Sequence, residues 1–155
     1  MTRIETLCFV HQPPKILLGM KKVRFGAGKY CGFGGGVEER ETPEQAITRE
    51  MKEEAGIEVS DLIKMGEIIF KFRTGEQNHH VHIFKTDKYK GNVEESEEMK
   101  PEWFSIGNIP YSKMWGDSRY WLPLVVQGIK FKATFQYDKN NSIEDYELNE
   151  VGNIE

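Results

Sequence analysis

Apolar residues crowd positions 4–10 and return at 15–20, with Gln12-Pro13-Pro14 between them. Two β-prone runs broken by a Pro-Pro step predict two strands joined by a turn. A helix is predicted over Pro43–Ala55. Thr42 suits the N-cap and Pro43 the first helical position, Gln45 completes a capping box, and Gly56 is the stop. Ala46, Ile47, Met51 and Ala55 give that helix a modest apolar face. Residues 66–73 and 80–86 read as a strand pair across the polar turn 74–78, and 102–106 as a short strand. Residues 88–100 are polar and acidic. A second helix is predicted over 114–126, with Asp117 or Ser118 as its N-cap, and an alternating strand over 129–137. The polar tail from Lys139 reads as a last partial strand or a frayed end. Strands mixed with two helices, without a repeating βαβ unit, favour a single α+β domain spanning 1–155.

Residues 26–36 interrupt this pattern. Six of the eleven are glycine (Gly26, Gly28, Gly32, Gly34, Gly35 and Gly36), which predicts a loop whose backbone approaches something closely. The bulk composition narrows the function. With 21 basic and 25 acidic residues the formal charge is −4, so no basic footprint argues for a nucleic-acid partner. No apolar run approaches the ~20 residues of a membrane span, and no apolar signal region is read at the N-terminus. Cys8 sits in an apolar run and reads as a small buried hydrophobe. A Cys8–Cys31 disulfide stays an open alternative, but nothing suggests a secreted scaffold, and a reducing, cytoplasmic setting is expected.

Chemistry concentrates after the glycine loop. Glu50, Glu53 and Glu54 fall at i, i+3 and i+4, so on a helix all three carboxylates stand on one face. Like charges so placed weaken a helix by a few tenths of a kcal/mol per pair, roughly. A hard divalent cation would compensate; Mg²⁺ takes oxygen ligands and commonly keeps phosphate oxygens in its shell. The feature points to metal-assisted chemistry on a phosphorylated substrate, against the plainer alternative of a solvated acidic face. His79, His80 and His82 form a further cluster; His80 and His82 fall on one strand face and are read as making ordinary hydrogen bonds in preference to a Zn²⁺ site.

The spacing adds a resemblance. Gly35, five residues, Glu41, seven residues, Arg49-Glu50, Met51, Lys52, Glu53-Glu54, Ala55, Gly56 and Ile57 resemble the Nudix box at every fixed position. No GxxxxGK[ST] run is present, which disfavours a P-loop enzyme. The resemblance implies an αβα sandwich with a mixed central sheet and Mg²⁺-dependent cleavage (Mn²⁺ being an alternative) of a diphosphate linked to another moiety. It makes Glu50, Glu53 and Glu54 metal ligands, adds the backbone carbonyl of Gly34, and pairs Arg49 with Glu41 or Glu53.

Further segments are similar to the MutT-related branch of that family that hydrolyses 8-oxo-dGTP and other oxidised purine nucleoside triphosphates. They are residues 17–22, 25–29, 32–35 and 98–101, with Trp103-Phe104, Met114-Trp115 and Tyr120-Trp121. By that similarity Glu98 is a fourth carboxylate at the metal, and Lys21 faces the phosphate or sugar. Thr6, Phe25, Phe70, Phe72, Met99, Trp115, Asp117 and Trp121 line the base pocket. Gly35 and Phe33 join the substrate-binding set, although Phe33, like Phe84 and Phe104, reads by itself as core. The expected reaction is release of nucleoside monophosphate and pyrophosphate, a nucleotide-pool sanitation activity by a monomer or small homo-oligomer. Arg49 and the four glutamates would be the catalytic set, with Glu50 or Glu98 as base.

Cys31 and Ser118 stand where that branch has Asn and a second Asp, Tyr30 where it has Trp, and Glu5 where it has an aromatic. Cysteine is a poor substitute for an amide, and the changes at Cys31 and Ser118 fall on the positions expected to read the base edge. Alternatives are therefore a different nucleoside diphosphate-linked substrate, or a Nudix-fold module that binds a nucleotide without cleaving it.

Overall fold

The computed structural model describes residues 2–154. Its main sheet is built on β1 (Thr2–Gln12), β2 (Lys15–Lys21), β3 (Tyr30–Cys31), β5 (Ile63–Phe72), β6 (Asn78–Thr86), β8 (Met99–Ser105), β9 (Phe131–Tyr137) and β10 (Ile143–Glu150). The strand order is β10-β9-β5-β6-β1-β2-β3, with β8 also paired to β2. β1 with β6 and β5 with β9 run parallel; the other pairs are antiparallel, so the sheet is mixed. Two short strands, β4 (Glu58–Ser60) and β7 (Lys88–Lys90), form a separate ribbon.

Successive strand residues point to opposite faces, and this sorts the apolar side chains into two cores. Phe9, Ile16, Leu18, Ile68, Val81 and Ile83 pack with Trp121, Leu122 and Val125 of helix α2 (Ser118–Gln127). Cys8, Val10, Leu17 and Phe84 pack with Ile47, Met51 and Ala55 of helix α1 (Pro43–Ala55). The architecture is thus an αβα sandwich of the α+β class, as the sequence predicts.

α1 has the predicted ends. The Thr42 side chain accepts from the Gln45 N–H while the Gln45 side chain accepts from the Thr42 N–H, and Gly56 closes the helix at φ 72°. α2 differs. It begins at Ser118, four residues later than predicted, because Met114 is extended and two 3₁₀ turns at Ile106–Asn108 and Tyr111–Lys113 carry the chain to the sheet. Asp117 occupies the N-cap position with helical φ/ψ, and its side chain makes no capping bond; it is turned inward instead. The strand predicted over 102–106 is Met99–Ser105, and β3, β4 and β7 escape a periodicity reading because each has at most three residues. The acidic tail makes a full strand, β10, laddered on β9 and held by Tyr146 against Phe135 (5.5 Å) and Tyr120 (4.6 Å).

Phe33 is wholly buried in the α1-side core and is not part of the cavity wall, which corrects its place among the substrate-binding residues. Truncating a core Phe removes contacts that the surroundings cannot fully refill. Phe33→Ala should lower unfolding stability by roughly 3–5 kcal/mol in urea titration; a loss under about 1 kcal/mol would place the ring at a solvated surface.

Candidate active site

The glycine-rich segment runs alongside β1 as an irregular extra strand. Thr6 N–H donates to the Gly35 carbonyl (2.9 Å), Phe33 N–H to Cys8 (3.0 Å) and Val37 N–H to Ile4 (2.9 Å). Gly34 has no alternative residue: a Cβ there would sit 1.9 Å from the Thr6 carbonyl oxygen. At Gly35 a Cβ would sit 2.7 Å from a Glu50 carboxylate oxygen. The close approach inferred from the glycine count is therefore to β1 on one side and to α1 on the other.

This approach brings the Gly34 N–H onto Glu54 Oε1 at 2.9 Å. Glu54 is buried, and burial pushes its carboxyl up to about 8, with the nearby Glu50 and Glu98 adding to the rise. Oxygens of Glu50, Glu54 and Glu98 lie within 4.8 Å of one another. Such a donor set is all hard oxygen, which suits a divalent cation of the Mg²⁺ type. Glu53 lies outside this trio, on the cavity edge and largely exposed. The Gly34 group seen engaged here is its N–H; Gly34 itself lines the cavity.

Arg49 orders the carboxylates around it. Its guanidinium grips Glu41 through two bonds of 2.9 Å, donates to Glu50 at 2.7 Å and to the Gly36 carbonyl at 3.1 Å. Glu41 is thereby held down to about 2, through Arg49 and the Glu38 N–H. Glu53 makes a looser ion pair at 3.8 Å, so of the two expected partners Glu41 is the one hydrogen-bonded. Burial raises the Glu50 carboxyl, and Arg49 opposes that rise.

The same cavity, of about 300 Å³, continues into an aromatic slot. Phe25 lies 5.2 Å from Trp115 and 5.3 Å from Phe72, which in turn approaches Tyr137 at 5.6 Å in a stacked arrangement. Phe70, Thr6, Lys21, Cys31, Gly35, Met99, Ser118 and Trp121 also border the cavity. Asp117 closes its inner end. Its carboxylate accepts from Trp121 Nε1 at 2.7 Å and from the Tyr137 hydroxyl, and its N–H donates to that hydroxyl oxygen at 3.1 Å. Burial raises the Asp117 carboxyl, and these donors oppose the rise. Cys31 is a thiol at this wall, pushed up to about 12 by burial.

Sequence reasoning missed three partners. Tyr137 carries Asp117 but stands twenty residues away with no motif. Arg24 pairs with Glu98 at 2.6 Å. His79 turns into the cavity, bonded to Glu5 at 2.5 Å, with its ring against Phe25 and Phe72. The three-histidine cluster is thus split. Strand alternation, which puts His80 and His82 on one face, sets His79 on the other.

A carboxylate trio with two members on one helix and an arginine beside them, a glycine strand pressed on that helix and an adjoining aromatic slot define a Nudix-type hydrolase site. The profile of the NUDIX domain matches residues 1–125, and the chain belongs to that family, whose members generally use a divalent metal. It is similar to the oxidized purine nucleoside triphosphate hydrolase of Danio rerio, 45% identical over 153 residues that cover 99% of this chain and 98% of the relative. The Mus musculus protein of that name is 45% identical over 150 residues, covering 97% and 96%. Among solved structures, the MutT protein of Bacillus halodurans shares the fold, with a TM-score of 0.84 at 24% identity over 95% of this chain and 97% of that one.

Glu54 has a consequence for stability without metal. Unfolded, it titrates near 4.5; folded, near 8. Between those values the folded state binds more protons, so stability falls as pH rises through the window. In chelator, wild-type Tm should decline from pH 4.5 toward 8 more steeply than that of Glu54→Gln. Parallel curves for the two proteins would refute the buried titration.

Proposed function

We propose that this protein hydrolyses oxidised purine nucleoside triphosphates to the monophosphate and pyrophosphate, with Mg²⁺ held by Glu50, Glu54 and Glu98 and with Glu53 at the rim, in the service of nucleotide-pool sanitation. The observation that carries the reading is the continuity of one cavity: acidic trio at one end, aromatic slot at the other, and a buried carboxylate behind the slot. A triphosphate attached to a flat base has that distribution of charge and shape. The names of the two 45% identical relatives support the same substrate class.

When bound, the cation neutralises phosphate oxygens and lowers the pKa of coordinated water. The protein supplies the rest. Arg49 anchors Glu50 and Glu41, so the carboxylates meet the phosphates in a set geometry. Lys21 brings positive charge to the cavity beside Glu54, where the phosphate chain would lie. Either Glu50 or Glu98 takes the proton of the attacking water. Phe25, Phe72 and Trp115 hold the base by stacking, a gain of roughly 1–3 kcal/mol per base. Asp117 accepts from base N–H groups, and the Ser118 hydroxyl can donate or accept beside it.

The test is pyrophosphate release from a panel of natural and oxidised nucleoside triphosphates. Mg²⁺-dependent turnover favouring oxidised purines is expected, with Glu54→Gln slower by at least about a hundredfold, the scale of a lost catalytic carboxylate. Turnover of none, or a variant as active as wild type, would overturn the reading.

The base-reading residues make a second prediction. Cys31→Asn with Ser118→Asp should reorder the thermal shifts produced by a panel of nucleoside monophosphates, because a mismatched polar edge is penalised more than a missing methylene. An unchanged ranking would remove both positions from base selection.

A further inference from the structure

On the α1 face of the sheet, away from the cavity, Glu67 of β5 sits opposite His82 of β6 in the strand register, and His80 lies two residues along the same face. His80 Nε2 is 2.9 Å from Glu67 Oε1, and the two imidazoles stack at 4.8 Å with 28° between their planes. One ligand atom from each of the three residues falls within 4.8 Å of the others. His82 Nδ1 is buried and has no hydrogen-bond partner among the described residues. A hydrogen-bonded surface pair accounts for Glu67 and His80; it leaves His82 unexplained, and a buried polar atom without a partner calls for one.

We propose that Glu67, His80 and His82 form a binding site for a borderline-soft divalent metal such as Zn²⁺, separate from the acidic trio. Two imidazoles and one carboxylate are a three-ligand set of the kind that holds Zn²⁺ with one position left to water. Imidazole nitrogen also selects against Mg²⁺, which the all-oxygen trio suits. Lys64 contacts the other Glu67 oxygen, Oε2, at 2.9 Å, leaving Oε1 directed toward His80. An open hollow bordered by Glu67, His80, Lys132 and Glu147 provides entry from solvent. A bound metal would bridge adjacent strands β5 and β6 and stabilise the folded state by mass action.

The experiment is a Co²⁺ titration followed by visible absorption, in excess Mg²⁺ and reductant, with Zn²⁺ thermal shifts alongside. One equivalent should bind with d–d bands of low coordination number and no sulfur charge-transfer band. His80→Gln, His82→Gln and Glu67→Gln should each weaken binding at least tenfold, while Glu54→Gln leaves it intact. Unchanged circular dichroism and metal-free Tm in the histidine variants would show that they fold. Binding that survives His82→Gln, disappears with Glu54→Gln, or carries a thiolate band would overturn the site. None of these readouts depends on hydrolysis, so they stand apart from the proposed activity.

Discussion

Glu54 is the constraint around which the rest is arranged. A buried carboxylate is unfavourable unless something satisfies its charge, and Glu54 has one backbone N–H and two neighbouring carboxylates of the same sign. The fold maintains this discomfort through geometry set elsewhere. Gly34 can press on the Thr6 carbonyl only because it lacks a Cβ, and that contact aims its N–H at Glu54. Arg49 draws Glu41, Glu50 and the Gly36 carbonyl to one guanidinium. α1 in turn is pinned by its capping box at one end and by Ile47 and Met51 in the core along its length. Loosening any of these would let the carboxylates relax apart and dissolve the charge density on which cation binding depends.

The mixed sheet explains how the acidic trio and the aromatic slot share one cavity. Two of the trio, Glu50 and Glu54, come from α1, and Glu98 directly precedes β8. The slot is floored from the opposite face by Phe70 and Phe72 of β5 and by His79 and Val81 of β6, then closed by the segment before α2. The cavity lies where the glycine strand replaces β2 alongside the N-terminal half of β1, so residues from both layers reach it. An uninterrupted pairing of β1 with β2 would fill that gap.

Much of this was legible in the sequence because it is local. The α1 boundaries follow from Thr42, Pro43, Gln45 and Gly56, all within one segment, and the carboxylate spacing follows from helical geometry. The glycine count implied a close approach but not its target, since β1 lies some thirty residues upstream. Short strands such as β4 and β7 hold too few residues for alternation to register. The inward turn of Asp117 is not legible from local pattern, where an Asp before a helix normally caps it; the family likeness put it at the pocket, and Tyr137 and Trp121 show what draws the side chain there. Phe33 illustrates the opposite case, where the apolar pattern alone placed the ring in the core and the family likeness placed it at the substrate.

The two buried acids at the ends of the cavity are handled in opposite ways. Glu54 is given too few donors, so a cation held there, as proposed, would lower its free energy and release its proton. Asp117 is met in advance by an indole N–H and a phenol O–H, each occupying one side of a carboxylate oxygen. Those two donors hold the carboxylate's orientation in place. Preorganised acceptors of this kind discriminate by what they leave unpaired: a base that presents an acceptor there strands a buried carboxylate, while one that presents N–H groups completes it. With Ser118 in place of a second carboxyl, no neighbouring acid shares a proton with Asp117. The adaptable polar group beside it is a hydroxyl, so under the proposed function the choice of base would rest on Asp117 as a fixed acceptor and Ser118 as the group that adjusts.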